Sequence, residues 1–463
     1  MKMDKELDIP WQVKHYEEAI QRGETLYLDV EDFEEVIDHY LLGGLFSKAL
    51  GVVEAASSIH TASIALILKK AQLFATLNNE QRALELLAGI EDLDPSNHDV
   101  FLTKGAIYSQ LRHYEKAIEE YNKAINGADE PDFVYCNIAF EYENLGNFDK
   151  TIEYLDKALK INPDNDLAIY EAAYCFDLLS LTDEGISFFA RLIDRNPFSI
   201  EAWFNLGVSY INAGLHEKAL EALDYALAIE SDHEHSWFHK GYVLNLMNRH
   251  EEAIQAFLSS MDEHESDAMK FYYVGECHEK LEDYVNARDF YMKSTNIDPE
   301  LADAWVGIGV CDLETGKVGD AVTFIEKGLT LDTGNISYLC LLANAYFLLK
   351  DNEMGCLTYE RALSVDSEDE DTWLEYAEAL HGLDKIEEAS QVVRRGLEKN
   401  PGNNNLLYCL SGLLFMQHKS HEAAFCLEEA HGHDADGIKA LLERFPGLSD
   451  NTSFVDSFEN LRL

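Results

Sequence analysis

The segment IEAWFNLGVSYINAGLHEKALEALDYALAIESDH, residues 200–233, decides the architecture. Its first half carries Trp203, Leu206, Tyr210 and Ile211, and after Gly214 its second half carries Ala219, Leu220, Leu223, Ala226 and Leu227. Both runs have the spacing of an apolar helix face, so the segment reads as two helices broken at Gly214.

The pattern recurs every 34 residues on either side. With Ile200 as position 1, position 20 holds Ala49, Ala83, Ala117, Thr151, Gly185, Ala219, Ala253, Ala287, Ala321, Gly355, Ala389 and Ala423, all small. Position 8 is small as well, from Ala71 and Gly105 through Gly207, Gly241, Gly275 and Gly309 to Ser411. Position 4 is bulky and takes four of the five tryptophans, Trp203, Trp237, Trp305 and Trp373. Position 24 is bulky too, as in Leu87, Tyr121, Leu155, Phe189, Leu223, Phe257 and Tyr291.

A period of this length marks a stacked array, in which each unit buries its apolar face only against its neighbours. Small residues at positions 8 and 20 let two helix backbones approach while position 4 fills the space between them. Enlarging a small site is expected to cost about 1–3 kcal/mol through overpacking. Proline at position 32 (Pro95, Pro163, Pro197, Pro299, Pro401) lacks an amide hydrogen and punctuates the passage to the next unit. Helix and turn alternate without room for strands, so the fold class is all-α.

The motif W-x2-LG-x2-Y followed by a small residue, present as Trp203, Leu206, Gly207, Tyr210 and Ala219, resembles the tetratricopeptide repeat family. The resemblance covers eleven windows from Ile64 to Gly437 without an insertion. A weaker window precedes them at 30–63, where Ile37 stands in place of a small residue and different packing is expected. The resemblance implies a right-handed α-solenoid of stacked antiparallel helix hairpins, the tetratricopeptide repeat superhelix. Residues 1–29 are expected to cap one end with a helix from Trp11 to Arg22. Residues 438–463 are expected to cap the other with a helix from Ile438 to Arg444, stopped by Pro446, and a short flexible tail from Asn451 to Leu463.

Charge narrows the partners. Lys and Arg number 36 against 86 Asp and Glu, a formal net of −50, which repels nucleic acid and anionic membrane surfaces and favours a basic protein or peptide. The same excess also serves plain solubility of a long array. The chain opens Met-Lys-Met-Asp-Lys-Glu without the apolar core of a secretory leader, and no stretch approaches the roughly 18 apolar residues of a membrane helix. Eight scattered cysteines form no CxxC; Cys175, Cys277 and Cys311 share position 10 as packing residues, and a cytoplasmic setting is expected.

In the resembled family, positions 2, 5, 9, 12 and 13 of each first helix line a concave groove. Here they hold the acids Asp99, Glu143, Asp177, Glu201, Glu276, Glu279, Asp303, Glu314, Asp371 and Glu378, with Lys280 the one Lys or Arg. Aromatic residues gather in the middle windows. The peptide-binding candidates are Phe140, Glu143, Tyr170, Tyr174, Asp177, Phe204, Phe238, Tyr242, Tyr272, Glu276 and Glu279. Ring faces attract Lys or Arg by about 0.5–2 kcal/mol per contact, and carboxylates steer their approach. Against this, acids are common on any solvated face of so acidic a chain, and rings at positions 5 and 9 also serve packing.

Family members that grip a chaperone's C-terminal carboxylate use Lys and Asn at positions 5 and 9. Those positions here begin Leu68 and Gln72, Leu102 and Ala106, Cys136 and Phe140, so that basic clamp is missing. There is no GxxxxGK[ST], HExxH or GxSxG, and the repeats leave no space for a separate catalytic domain, so neither an enzyme nor a cofactor is expected. The pairs His233 with His235 and His431 with His433 resemble metal ligands only loosely, and no metal is assigned. Two readings remain: a non-catalytic scaffold that binds a basic segment in its groove, or an assembly subunit that acts through its end caps or convex face.

Overall fold

The computed structural model describes residues 10–24, 26–261, 267–433 and 437–461, the side chains of residues 431–433 and 460–461 excepted. Every regular element among them is helical. The chain forms two compact units, one through Ser231 and the other from Asp232. Each is a solenoid of helix hairpins, with first helices such as Ile64–Thr76 and Ile200–Asn212 and second helices such as Glu80–Leu93 and His216–Ile229.

The small and bulky positions explain the hairpin. All the position-20 residues are buried, and so is every residue at position 24 from Leu87 to Leu427. A Cβ built on Gly207, Gly241 or Gly275 would meet the side chain of Leu223, Phe257 or Tyr291 at 2.8–2.9 Å, so position 8 is kept small to admit position 24 of the same hairpin. Where position 8 is Ser411, its hydroxyl donates to the position-20 carbonyl of Ala423 at 2.9 Å and stays satisfied. In the weak window the relation reverses: Ile37 at position 8 is buried in one cluster with the smaller Val53 at position 24.

The turn inside each hairpin is also periodic. Position 15 is left-handed in every window, with φ between 55° and 79°, although only Gly146, Gly214 and Gly316 among the eleven are glycine. Two bonds impose it: in the fifth window Gly214 N donates to Ile211 O at 2.9 Å and Leu215 N to Tyr210 O at 2.9 Å, closing the helix end. The next first helix starts on a side-chain cap, as where Asn165 Oδ1 accepts from Ala168 N at 2.9 Å and Asn403 Oδ1 from Leu406 N at 2.9 Å. Tryptophan at position 4 ties one hairpin to the hairpin before it. Its indole donates to the position-32 carbonyl just before it, Trp203 to Pro197 and Trp305 to Pro299, both at 2.9 Å.

At the N-terminal end, helix Trp11–Arg22 buries Val13, Tyr16 and Ala19, and Tyr40 donates to Glu17 at 2.9 Å. At the other end, Gly437–Arg444 is followed by a short turn of 3-10 helix at Pro446–Asp450. The stretch expected to be a flexible tail is instead helical at Thr452–Leu461. Asn451 caps it by accepting from Phe454 N at 3.1 Å, and Phe454 is buried edge-on to Phe415 at 5.4 Å. Arg462 and Leu463 lie outside the described residues.

Candidate inner-face binding site

In the unit that ends at Ser231, the groove positions do face a common space. A cleft of about 550 Å³ runs over the helices Ile64–Thr76, His98–Gln110 and Pro131–Asn144, lined by Ala65, Leu68, Gln72, Ala75, Asp99, Ala106, Gln110 and Phe133. Three alanines among its lining residues, Ala65, Ala75 and Ala106, leave that space open. The family-based reading passed over this stretch, which lacks both a basic clamp and a ring cluster; small residues at groove positions were the signal.

The candidates of the third to fifth windows lie beyond it. Tyr170 and Tyr174 are 67% and 47% exposed, so both rings are open to a partner. Phe140 and Phe204 are half-buried, and Phe140 packs against the core of its unit. Asp177 is exposed and accepts from Asn212 at 3.2 Å across a second cleft lined by Ala173, Asn205 and Val208. Burial and the nearby Glu143 carboxylate push Glu171 above the usual carboxylate range, and burial with both carboxylates pushes the Cys175 thiol up to about 12.

In the unit from Asp232, the rings form a ladder instead of standing free. Phe238 lies 5.6 Å from Phe257, Tyr273 stacks on Phe257 at 5.4 Å, Tyr242 meets Tyr273 at 5.9 Å, and Tyr272 meets Tyr291 at 5.6 Å. Phe257 and Tyr291 are interior, so Phe238, Tyr242 and Tyr272 are its half-buried edge. The acids are oriented by the same wall. Glu276 accepts from Asn245 at 2.9 Å, Glu279 from Tyr291 at 2.8 Å, and Asp303 from Tyr338. Burial raises Glu279 above the carboxylate range despite the Tyr291 bond, and burial with Glu378, Asp371 and Asp369 raises Glu375. Tyr273, Tyr338 and Glu375 were missed, because they occupy positions 6, 3 and 6, outside the five family positions.

The candidates thus fall into two groups, one in each unit. His233 is occupied as a helix cap: its Nδ1 lies 2.7 Å from Ser236 Oγ and accepts from Ser236 N at 3.3 Å. The side chains of His431 and His433 lie outside the described residues. Cys409 and Cys426 are buried free thiols. Among the described residues no helix is long and apolar enough to cross a membrane.

Models of the tetratricopeptide repeat match residues 98–126, 133–165, 200–233, 234–262 and 336–369, in register with the 34-residue windows. The chain belongs to the tetratricopeptide repeat family. Tetratricopeptide repeat proteins in general mediate protein–protein interaction and assembly. Similar solved structures include YrrB, described as a tetratricopeptide repeat protein with an unusual peptide-binding site, at 19% identity over 42% of this chain and 97% of that one, with a TM-score of 0.36. Another is the Cut9–Hcn1 hetero-tetramer of the APC/C, at 14% identity over 87% of this chain and 93% of that one, with a TM-score of 0.42. A third is MamA, at 20% identity over 42% and 95%, with a TM-score of 0.30. No curated protein matches the chain at a significant level.

Proposed function

We propose that this tetratricopeptide repeat protein is a non-catalytic scaffold that holds a basic protein segment against the inner faces of its first helices. The observation that carries this reading is the pairing of rings with crowded carboxylates. Glu171, Glu279 and Glu375 are each raised by burial and by neighbouring acids, and a Lys or Arg beside any one of them would relieve that local repulsion. Tyr174 and Tyr242, at position 9 of their windows, supply rings on the same run of first helices. The free thiols suit a reducing compartment, and we place the chain in the cytoplasm as part of the same proposal.

The test is fluorescence anisotropy with a labelled Lys/Arg-rich peptide and an acidic peptide of equal length. Preference for the basic peptide, weakened by salt and by Tyr174→Ala or Tyr242→Ala, supports the reading. Equal binding of both peptides, or no effect of either substitution, defeats it.

One observation favours the assembly reading. Trp11, Ile20, Tyr27 and Leu42, all near the N-terminal end, are 54%, 60%, 67% and 92% exposed, large apolar side chains that another subunit could cover. Light scattering on the full chain separates the two, because a groove binder acting alone stays monomeric.

A further inference from the structure

The helix Gly437–Arg444 departs from the stacking of most earlier windows. It packs chiefly on the first helix of the eleventh window, Asn404–Met416, and only slightly on the second helix Ser420–His433. There it covers the inner face. Tyr408, Gly412 and Phe415, at positions 5, 9 and 12, are all buried, whereas Tyr170 and Tyr174 at positions 5 and 9 of the fourth window stand open.

Two adjacent side chains make the contact. Phe445 is buried against Gly412, where an added Cβ would stand 2.5 Å from the ring, and lies 5.2 Å from the ring of His381 at position 12 of the tenth window. Arg444 forms an ion pair with Glu378, at position 9 of that window. An arginine beside an aromatic thus engages positions 9 and 12, the positions that carry Tyr174 and Asp177, and Glu276 and Glu279, in earlier windows.

We propose that residues 437–461 are a resident ligand of the inner face, and that the external partner is a helical segment of like chemistry, an arginine next to an aromatic, which must compete with it. This rests on the groove reading above and adds what the partner carries and that the chain itself opposes its binding. The side chains of Arg444 and Glu378 are 24% and 45% exposed, so their pair acts as a partial latch that changes affinity a few-fold, not a permanent seal.

The probe is a fluorescein-labelled synthetic peptide of residues 437–450, and a copy with Arg444→Ala. Both are titrated into the full chain, its Arg444→Ala variant, and a Lys439→Ala control that removes a charge 87% exposed on the same helix. The labelled peptide is expected to bind the Arg444→Ala chain about threefold to fivefold tighter than the other two, from the size of a half-exposed ion pair. The peptide lacking arginine should bind all three more weakly. Hydrogen exchange at the Leu441 and Phe445 amides should quicken in the Arg444→Ala chain alone, a readout that holds even where that variant is less stable.

Equal binding by all three chains overturns the competition and leaves the groove reading standing. Failure of the 437–450 peptide to bind any chain that still binds the Lys/Arg-rich peptide overturns this inference alone. Chains that bind neither peptide overturn both.

Discussion

A Cβ added to Gly309 would stand 2.6 Å from Cγ1 of Ile325 and 3.2 Å from the carbonyl oxygen of Ala321. The second neighbour is backbone, so the hairpin has to open to admit a methyl group. Gly309→Ala should therefore destabilise its unit by about 1–2 kcal/mol, the overpacking cost less the gain from removing a helical glycine. Gly89, exposed within helix Glu80–Leu93, has nothing within 4 Å of the same added atom, and Gly89→Ala should stabilise by about 0.5–1 kcal/mol. Urea midpoints of the two variants must move in opposite directions; a shared direction would show that position 8 is not read out by packing.

Lys350 holds the position-15 turn at φ 63°, a conformation with a steric cost for a residue that has no short polar side chain to bond locally. Lys350→Gly removes that cost of about 1–2 kcal/mol and adds back about 0.5–1 kcal/mol of unfolded-state entropy. A net stabilisation near 0.5 kcal/mol is expected by denaturant titration. The reverse change, Gly214→Ala at φ 69°, should cost a similar amount.

Glu141 is 3% exposed, and its Oε2 has no hydrogen-bond partner. Burial raises its carboxyl above the ordinary range, with a bond from Ser109 only partly offsetting this. For a group raised in the folded state, the stability contribution is full below the unfolded pKa and is lost as pH rises through the folded value. Glu141→Gln keeps the shape without the charge. It should be more stable than the parent at pH 7.5 by about 1 kcal/mol and equal to it near pH 4, as followed by thermal melts across that range. A parent that gains nothing on mild acidification relative to the variant would show that Glu141 ionises freely in place.

The hairpin array was legible because its cause is chemical identity at fixed spacing: Gly207 against Leu223 and Gly241 against Phe257 repeat as residue types. The left-handed turn was hidden, since Arg112, Ser180, Glu282 and His418 share no chemistry and are held there by backbone bonds. The rings at positions 5 and 9 are plain in the sequence, but which of them pack is not, for Tyr174 stands open while Tyr242 leans on Tyr273, a residue outside the family positions. The cleft of the first three windows escaped notice because Ala65, Ala75 and Ala106 make space without carrying any charge or ring. The C-terminal helix was concealed for a tertiary reason, as Phe454 in a polar stretch gains its partner only when Phe415 is presented by a distant helix.

A formal net charge of −50 sets two salt dependences against each other. The folded units hold their excess acids close together, so screening that repulsion should raise stability as sodium chloride increases from 20 mM to 500 mM, where the Debye length shrinks from roughly 20 Å to about 4 Å. Surface pairs such as Arg195 with Asp156 at 3.4 Å and Arg394 with Glu422 at 2.7 Å are exposed enough to lose little in return. Binding of a basic peptide depends on the same field with the opposite sign and should weaken over the same range. Thermal midpoint and peptide affinity measured on one series of samples should therefore diverge. If both fall together, local ion pairs outweigh the global repulsion and the acids act as individual contacts; if both rise, apolar burial governs the peptide contact and its basic residues are incidental.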